Sequence, residues 1–532
     1  MPAYDVIVRG GIVYDGTGGA PHAADVAVNN DRIARIAPRI DGTARREIDA
    51  HGLAVAPGFI NILSWASVTL LADGRSQSDL RQGVTLEVLG EGTSMGPLSP
   101  AMRREMASRQ GDLKYDVSWT TLDEYLDHVA ARGVSCNVAS FMGATTARIH
   151  VIGYENRLPS PHELDRMRDL VRAAMAEGAV GVSSALIYPP ATYSDTAELV
   201  ALAEVAAEAG GLYISHIRNE ESHIEEALEE FITVARRVAR SEIYHLKVSG
   251  TTNWPRLDGV LARINAERAR GIAITADVYP YTASSTGLDT GIAPWAHEGG
   301  ELAMIARLRD PETRARIKAE MALFAGAENI LVIDFRNPAL KPLTGKSLAW
   351  VAAQRRADWQ DVAMDLIIEN GADVGAVFFT MSEENLRRII ATPWVSFCSD
   401  AGSYAAEGIF LQIGTHPRAY GSFARVLGRY VRDQGILPLA EALRRMTSFP
   451  ADTLRLRDRG RLAEGSFADI VVFDPDTVAD RATYARPHQY AVGVRDVLVN
   501  GVPVIADGEH TGATPGRVVR GPGWRGTRVR SS

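Results

Sequence analysis

Short apolar runs and long amphipathic stretches alternate through the middle of this chain, whereas both ends alternate apolar and polar positions almost residue by residue. The N-terminal stretch "YDVIVRGGIVYDGTGGAPHAADVAVNNDRIARIAP" sets β-branched residues against polar ones and breaks at Gly, Asn-Asn and Pro, which predicts short antiparallel strands. The far end repeats the style in "GRLAEGSFADIVVFDPDTV" and "VRDVLVNGVPVIADGEHTG", with hairpin signals at Asn500-Gly501 and Asp507-Gly508. Chain ends often lie close together, so residues 1–56 and 455–532 are expected to pair into one small β-sandwich domain. The basic, Gly-rich tail "GPGWRGTRVRSS" reads as a surface extension.

Between the ends, strands are predicted at Gly58–Ser64, Val84–Gly90, Ser135–Met142, Ala179–Ser184, Leu212–His216, Ile243–Val248, Ile272–Val278, Val377–Met381 and Val395–Asp400. Helical patterns such as "SPHELDRMRDLVRAAMAEG" and "ELVALAEVAAEAG" separate them. Repeated β-then-α at this spacing predicts an α/β fold, a (β/α)8 TIM-like barrel over residues 57–454. Nine candidates compete for eight places, so either Ile272–Val278 or Val377–Met381 is not a regular barrel strand. The charged helical block Glu301–Met321 interrupts the alternation and marks an insertion at about 288–345, a candidate lid.

Composition narrows the function classes. With 46% hydrophobic and 23% charged residues over 532 positions, the chain can bury a large core. The formal charge of -8 and scattered Lys and Arg give no basic face for nucleic acid. Cys136 and Cys398 each sit in an apolar run and read as buried thiols. The start "MPAYDVIVRGG" shows no secretory signal pattern, so a cytoplasmic location is expected. Gly52 to Ala72 carries no charge, but Pro57, Gly58 and Asn61 interrupt it, so it is read as a buried strand and loop, and no membrane partner is expected. Self-association is left open.

Reactive side chains of such a barrel belong at the C-terminal ends of its strands. Four predicted ends carry unusual polar groups: His216 in "LYISHIRNE", His245 in "EIYHLKVSG", Asp400 in "VSFCSDAG" and Glu91 in "TLEVLGEGTS". Two imidazoles and a carboxylate are zinc ligands, and an open fourth position leaves room for water. Any one of these histidines alone would more often be a hydrogen-bonded core residue; the joint pattern carries the reading.

Over nearly its whole length the chain resembles the N-acyl-D-amino-acid deacylases (D-aminoacylases) of the amidohydrolase superfamily. The matching segments, in order, include "VIVRGGIVYDGTG", "VAPGFI", "RQGVTLEVLGEG", "VGVSSALIYPPATYSDTAEL", "YISHIRNE", "HLKVSG", "DVYPYTASST", "CSDAG" and "HPRAYGSFARVLGRY". The resemblance implies zinc held by His216 and His245, with Asp400 as general base and acid for the attacking water. It also implies substrate-carboxylate contacts at Lys247, Tyr279, Ser285 and Arg418, which suits the chemistry of Lys and Arg.

The departures matter as much. Leu63 and Trp65 in "PGFINILSWAS" stand where the family carries a His-x-His pair, and Asn61 and Ser67 replace flanking carboxylates. The family's ligand cysteine after the second strand is absent, leaving Glu91 as the third ligand. "SFMGATTAR" puts Gly143-Ala144-Thr145-Thr146 where the family has Gly-His-Gly-Thr, and no bridging lysine is present near Gly181. One zinc ion is therefore expected, not two. The leading expectation is removal of an N-acyl group, most simply from an N-acyl-D-amino acid. The alternatives are hydrolysis of a cyclic or other acyl amide, and a non-catalytic scaffold.

Overall fold

The computed structural model describes residues 2–323 and 325–526. Residues 4–57 and 470–510 build one nine-stranded sheet, in which strand Ile470–Phe473 pairs antiparallel with Ala54–Pro57. The two ends of the chain thus share one β layer, as their alternation predicts. The Asn500-Gly501 turn joins strands Val494–Val499 and Val502–Ala506 with positive φ at both residues (47° and 80°). Asn and Gly tolerate this left-handed region, which a two-residue hairpin of this twist requires.

Parallel strands lie in two further sheets. Phe59–Asn61, Val84–Leu89 and Asn137–Ser140 form one; Met142–Gly143, Gly181–Ala185, Leu212–His216, Ser241–Ile243, Ile274–Val278 and Val395–Phe397 form the other, paired in that order. Asn137–Ser140 and Met142–Gly143 are successive pieces of one run, and a parallel bridge between Ser64 and Ala401 joins the first run to the last. Apolar side chains between the strands, among them Ile60, Leu63, Leu86, Ala139, Ile214, Tyr244 and Tyr279, form one buried cluster. The helices that separate the strands are strongly signalled. Ser160 and Glu163 close a capping box on helix Pro161–Glu177, which ends on Gly178 in the left-handed region.

The structure resolves one open choice and alters two expectations. Of the two doubtful strands, Val377–Met381 is the one outside the parallel set. It appears as Gly375–Phe378, in a four-stranded antiparallel sheet with Ser284–Gly287, Ile330–Asp334 and Lys346–Ser347. An apolar run bounded by turn residues does not tell a parallel strand from an antiparallel one. The inserted unit accordingly spans 284–378, wider than 288–345, and has its own core around Leu288, Ile305, Val332, Leu366 and Phe378.

The tail is also no free extension over the part described. Pro515 and Val518 bridge to Val134 and Val138, and Arg520 pairs with Asp123 and Asp127. A Cβ at Gly516 would lie 2.0 Å from the Cys136 carbonyl oxygen, so this close backbone approach needs glycine. Residues 527–532 of the tail lie outside the described residues. Cys136 and Cys398 are buried free thiols, as expected. No described helix is long and apolar enough to cross a membrane.

Candidate metal centre and substrate cavity

The ends of the parallel strands open on a cavity of about 670 Å³ lined by Trp65, Glu91, His216, Glu220, His245, Lys247, Tyr279, Ser285, Asp400 and Arg418, among others. All eight residues singled out from the sequence therefore reach one space. His216 closes its strand, His245 lies two residues past Ile243, Glu91 two past Leu89, and Asp400 three past Phe397. His245 and Asp400 both hold positive φ (34° and 50°). Backbone strain of this kind persists only where the surrounding structure enforces it.

Glu91, His216 and His245 converge, each buried, with ligand atoms within 4.8 Å of one another. Glu91 Oε1 lies 3.2 Å from His216 Nδ1 and 3.3 Å from His245 Nε2. Two ligands each about 2.0–2.1 Å from a tetrahedral zinc stand roughly 3.3 Å apart, so these separations fit the ion. His216 Nε2, on the far side of the ring from Glu91, is buried without a hydrogen-bond partner and lies 3.7 Å from Glu220 Oε2.

Burial works against the Glu91 carboxylate, but hydrogen bonds to His216 and His245 outweigh it and hold its pKa well below the usual range. Burial and the Lys247 ammonium push the His245 imidazole down. The Asp400, Glu220 and Glu91 carboxylates prevail and raise it to about 10.

Glu220 was missed by the sequence reading. Its Oε1 accepts from Lys247 Nζ at 2.7 Å and lies 3.2 Å from His245 Nδ1, while Oε2 lies 3.7 Å from His216 Nε2. One carboxylate thus faces the outward nitrogen of both imidazoles. Lys247 Nζ also lies 2.8 Å from His245 Nδ1, so the ammonium and the Glu220 carboxylate share that face of the imidazole and fix its orientation. Glu220→Gln is expected to weaken zinc binding about 10–100-fold, as outer-shell changes typically do, and competition with a chromogenic chelator measures it. An unchanged zinc affinity would remove this role.

Asp400 is gripped at both oxygens. The Trp65 indole Nε1–H donates to Oδ1 at 3.0 Å, and Arg418 Nη1 lies 2.6 Å from Oδ2. Leu63 turns into the buried cluster between the strands, while the Trp65 ring stays half-exposed at the cavity wall. The place of the His-x-His pair is thus filled by one core side chain and one hydrogen-bond donor.

Of the four expected carboxylate contacts, Arg418 and Lys247 flank Tyr279, with Arg418 Cζ 4.6 Å and Lys247 Nζ 5.8 Å from the ring centre. Ser285 donates its hydroxyl to the Ala376 carbonyl at 2.9 Å, and Arg418 Nη2 donates to the Ser285 carbonyl at 3.2 Å. His416 is buried and accepts the Arg418 backbone N–H at 2.9 Å, which seats the arginine.

The chain has known relatives. An amidohydrolase family model matches residues 411–505. D-aminoacylase of Alcaligenes xylosoxydans xylosoxydans is 34% identical over 97% of this chain and 97% of its own length. The chain belongs to the D-aminoacylase family. N-acyl-D-glutamate deacylase from the same organism is also 34% identical, over 97% of this chain and 96% of the relative. The crystal structure of an N-acyl-D-glutamate deacylase from Bordetella bronchiseptica, complexed with zinc and a phosphonate mimic of the tetrahedral intermediate, superposes with a TM-score of 0.81 at 33% identity. That match covers 97% of this chain and 99% of the other.

Proposed function

We propose that this D-aminoacylase-family chain is a one-zinc amide hydrolase that removes the acyl group of N-acyl-D-amino acids. Its parallel strands then form a single (β/α)8 barrel, with the composite β-domain of residues 1–56 and 455–532 as a sandwich beside it and a cytoplasmic location. The observation that carries the reading is the convergence of Glu91, His216 and His245 beside an Asp400 whose two oxygens are both anchored.

A zinc bound there supplies Lewis-acid polarisation of the amide carbonyl and makes its water acidic near neutral pH. The protein supplies the rest. Glu91, His216 and His245 would hold the zinc. Each Asp400 oxygen has a second lone pair beyond the bonds from Trp65 and Arg418, so Asp400 can take the proton of the attacking water and hand it to the leaving nitrogen. The cations of Lys247 and Arg418, both beside the Tyr279 ring, suit the α-carboxylate of the substrate, with the Ser285 segment next to Arg418.

Trp65 makes the single-ion reading specific to this sequence. The indole N–H fixes Asp400 Oδ1 at 3.0 Å, and the hydrocarbon side chain of Leu63 offers no metal ligand. Trp65→Phe keeps the ring and deletes the donor. Since a hydrogen bond to a charged group contributes about 1.5–3 kcal/mol, kcat is expected to fall about 10–100-fold with zinc content unchanged. Steady-state kinetics with metal analysis on the same sample checks it.

The function itself is tested by chelation. The metal-free chain should not cleave N-acetyl-D-amino acids and should regain activity with one equivalent of zinc; full activity without metal rejects the mechanism. A substrate panel of N-acyl-D-amino acids, N-acyl-L-amino acids and cyclic imides separates the deacylase reading from cyclic-amide hydrolysis.

A further inference from the structure

A second cavity of about 400 Å³ adjoins the one at the metal centre, and Thr93, Ile149, Tyr154, Pro189, Asp289 and His297 line both. Leu98, Met102, Met106 and Met304 give the second cavity an apolar wall of its own. Met102 and Met106 stand four residues apart, hence on one face of helix Pro100–Ser108, and no residue of that helix is fully buried. Their apolar surface is therefore only partly covered. Met304 comes from helix Glu301–Arg309 of the inserted unit, so the cavity lies where that unit meets the strand-end loops. Unbranched thioether side chains adapt to guests of varying shape.

Polar groups around this cavity are largely matched to one another. Tyr154 donates its hydroxyl to Glu105 Oε1 at 2.9 Å, and Arg109 Nη1 lies 2.7 Å from the same oxygen. Thr146 Oγ1 accepts the Ser94 N–H at 2.8 Å. Arg336 is exposed, so solvent screens its charge. The wall favours a hydrocarbon guest over a charged one.

Strand order decides which end of a substrate meets it. Ser94 and Leu98 follow strand Val84–Leu89, Thr146 and Ile149 follow Met142–Gly143, and Pro189 follows Gly181–Ala185. Lys247, Tyr279 and Arg418 follow Ser241–Ile243, Ile274–Val278 and Val395–Phe397. The strand that ends on His216 pairs between the two sets. A trans amide holds its acyl chain and its amino-acid part on opposite sides of the C–N bond. With the α-carboxylate at Lys247 and Arg418 and the carbonyl at the metal centre, the acyl chain is directed toward Thr93 and the second cavity.

We propose that the second cavity is an acyl-chain pocket, and that the preferred substrates are N-acyl amino acids carrying a long, unbranched fatty acyl group in place of acetyl. The inference rests on the hydrolase reading above and narrows its substrate class. Met102, Met106 and Met304 set the chain-length selectivity.

N-acetyl, N-butanoyl, N-hexanoyl and N-octanoyl derivatives of one D-amino acid test it on the zinc-loaded full chain. The expected kcat/KM rises about fourfold per added methylene until the cavity is full. Met106→Trp fills part of the cavity, and Met102→Gln makes its wall polar with little change of shape. In both variants the octanoyl-to-acetyl ratio of kcat/KM should fall at least about tenfold, a ratio that does not depend on how much of the protein is folded. A flat or falling series from an active enzyme overturns the acyl pocket and leaves the hydrolase reading standing. So does a suberoyl derivative, ending in a carboxylate, that is cleaved faster than the octanoyl one, or a rise that follows the amino-acid side chain with the acyl group held at acetyl. If no member is cleaved, the hydrolase reading fails and calorimetry decides the cavity alone. A Kd for the octanoyl compound at least about tenfold below that of the acetyl compound, with the difference lost in Met106→Trp, upholds a fatty-acyl site; equal values overturn it.

Discussion

Asp400→Asn should keep its zinc and lose its turnover. Asparagine is isosteric with aspartate and, like it, tolerates the left-handed backbone that position 400 adopts at φ 50°, so the loop has no reason to rearrange. Its carbonyl oxygen still accepts the Trp65 indole N–H. Its amide group cannot take a proton from water at neutral pH, and it turns a donor toward the Arg418 guanidinium where the carboxylate accepted. General base catalysis contributes about 10²–10⁴-fold, and kcat is expected to fall by that factor. The neutral side chain also frees Arg418 from its ion pair, so KM for the acyl amino acid should rise little or even fall. Kinetics and zinc content on one preparation decide the matter; a variant with more than a tenth of the original kcat would take the proton-transfer role away from Asp400.

The way this site was legible in the sequence follows from which signals are local. His216 lies at the end of a five-residue apolar run that the structure reproduces at the same boundaries, Leu212–His216. Strand-end position plus chemical type was enough to pick out His216, His245, Asp400 and Glu91. Glu220 gave no such signal. It is one of 65 acidic residues, four positions beyond His216 in a loop, and its importance appears only when the loop folds back on Lys247 and His245.

Trp65 shows the opposite limit. The sequence shows that two ligands are missing, but that the indole replaces one of them as a donor to a residue 335 positions away depends on the Ser64–Ala401 bridge. The antiparallel placement of Gly375–Phe378 depends on strand partners that the run itself does not encode.

The largest loss expected from a single change is that of the metal ligands. His216→Ala leaves Glu91 and His245 as a two-point site, and Glu91→Ala leaves two imidazoles facing each other with ring centres 4.3 Å apart. Neither pair can match a three-ligand site for zinc, whose catalytic sites keep three protein ligands. Loss of the ion removes several kcal/mol of transition-state charge stabilisation, and about 4 kcal/mol corresponds to roughly 10³-fold in rate. Both variants should therefore purify with little zinc and show kcat/KM lowered by at least about 10³-fold. Added zinc restores part of the rate in proportion to occupancy. His216 is a small fraction of a large core, so a thermal melt should show both variants folded. If the two proteins keep their zinc, the three side chains are not the ligands. If the unaltered chain binds zinc, the variants do not, and none of the three hydrolyses any acyl amide, the metal is structural and the barrel a scaffold.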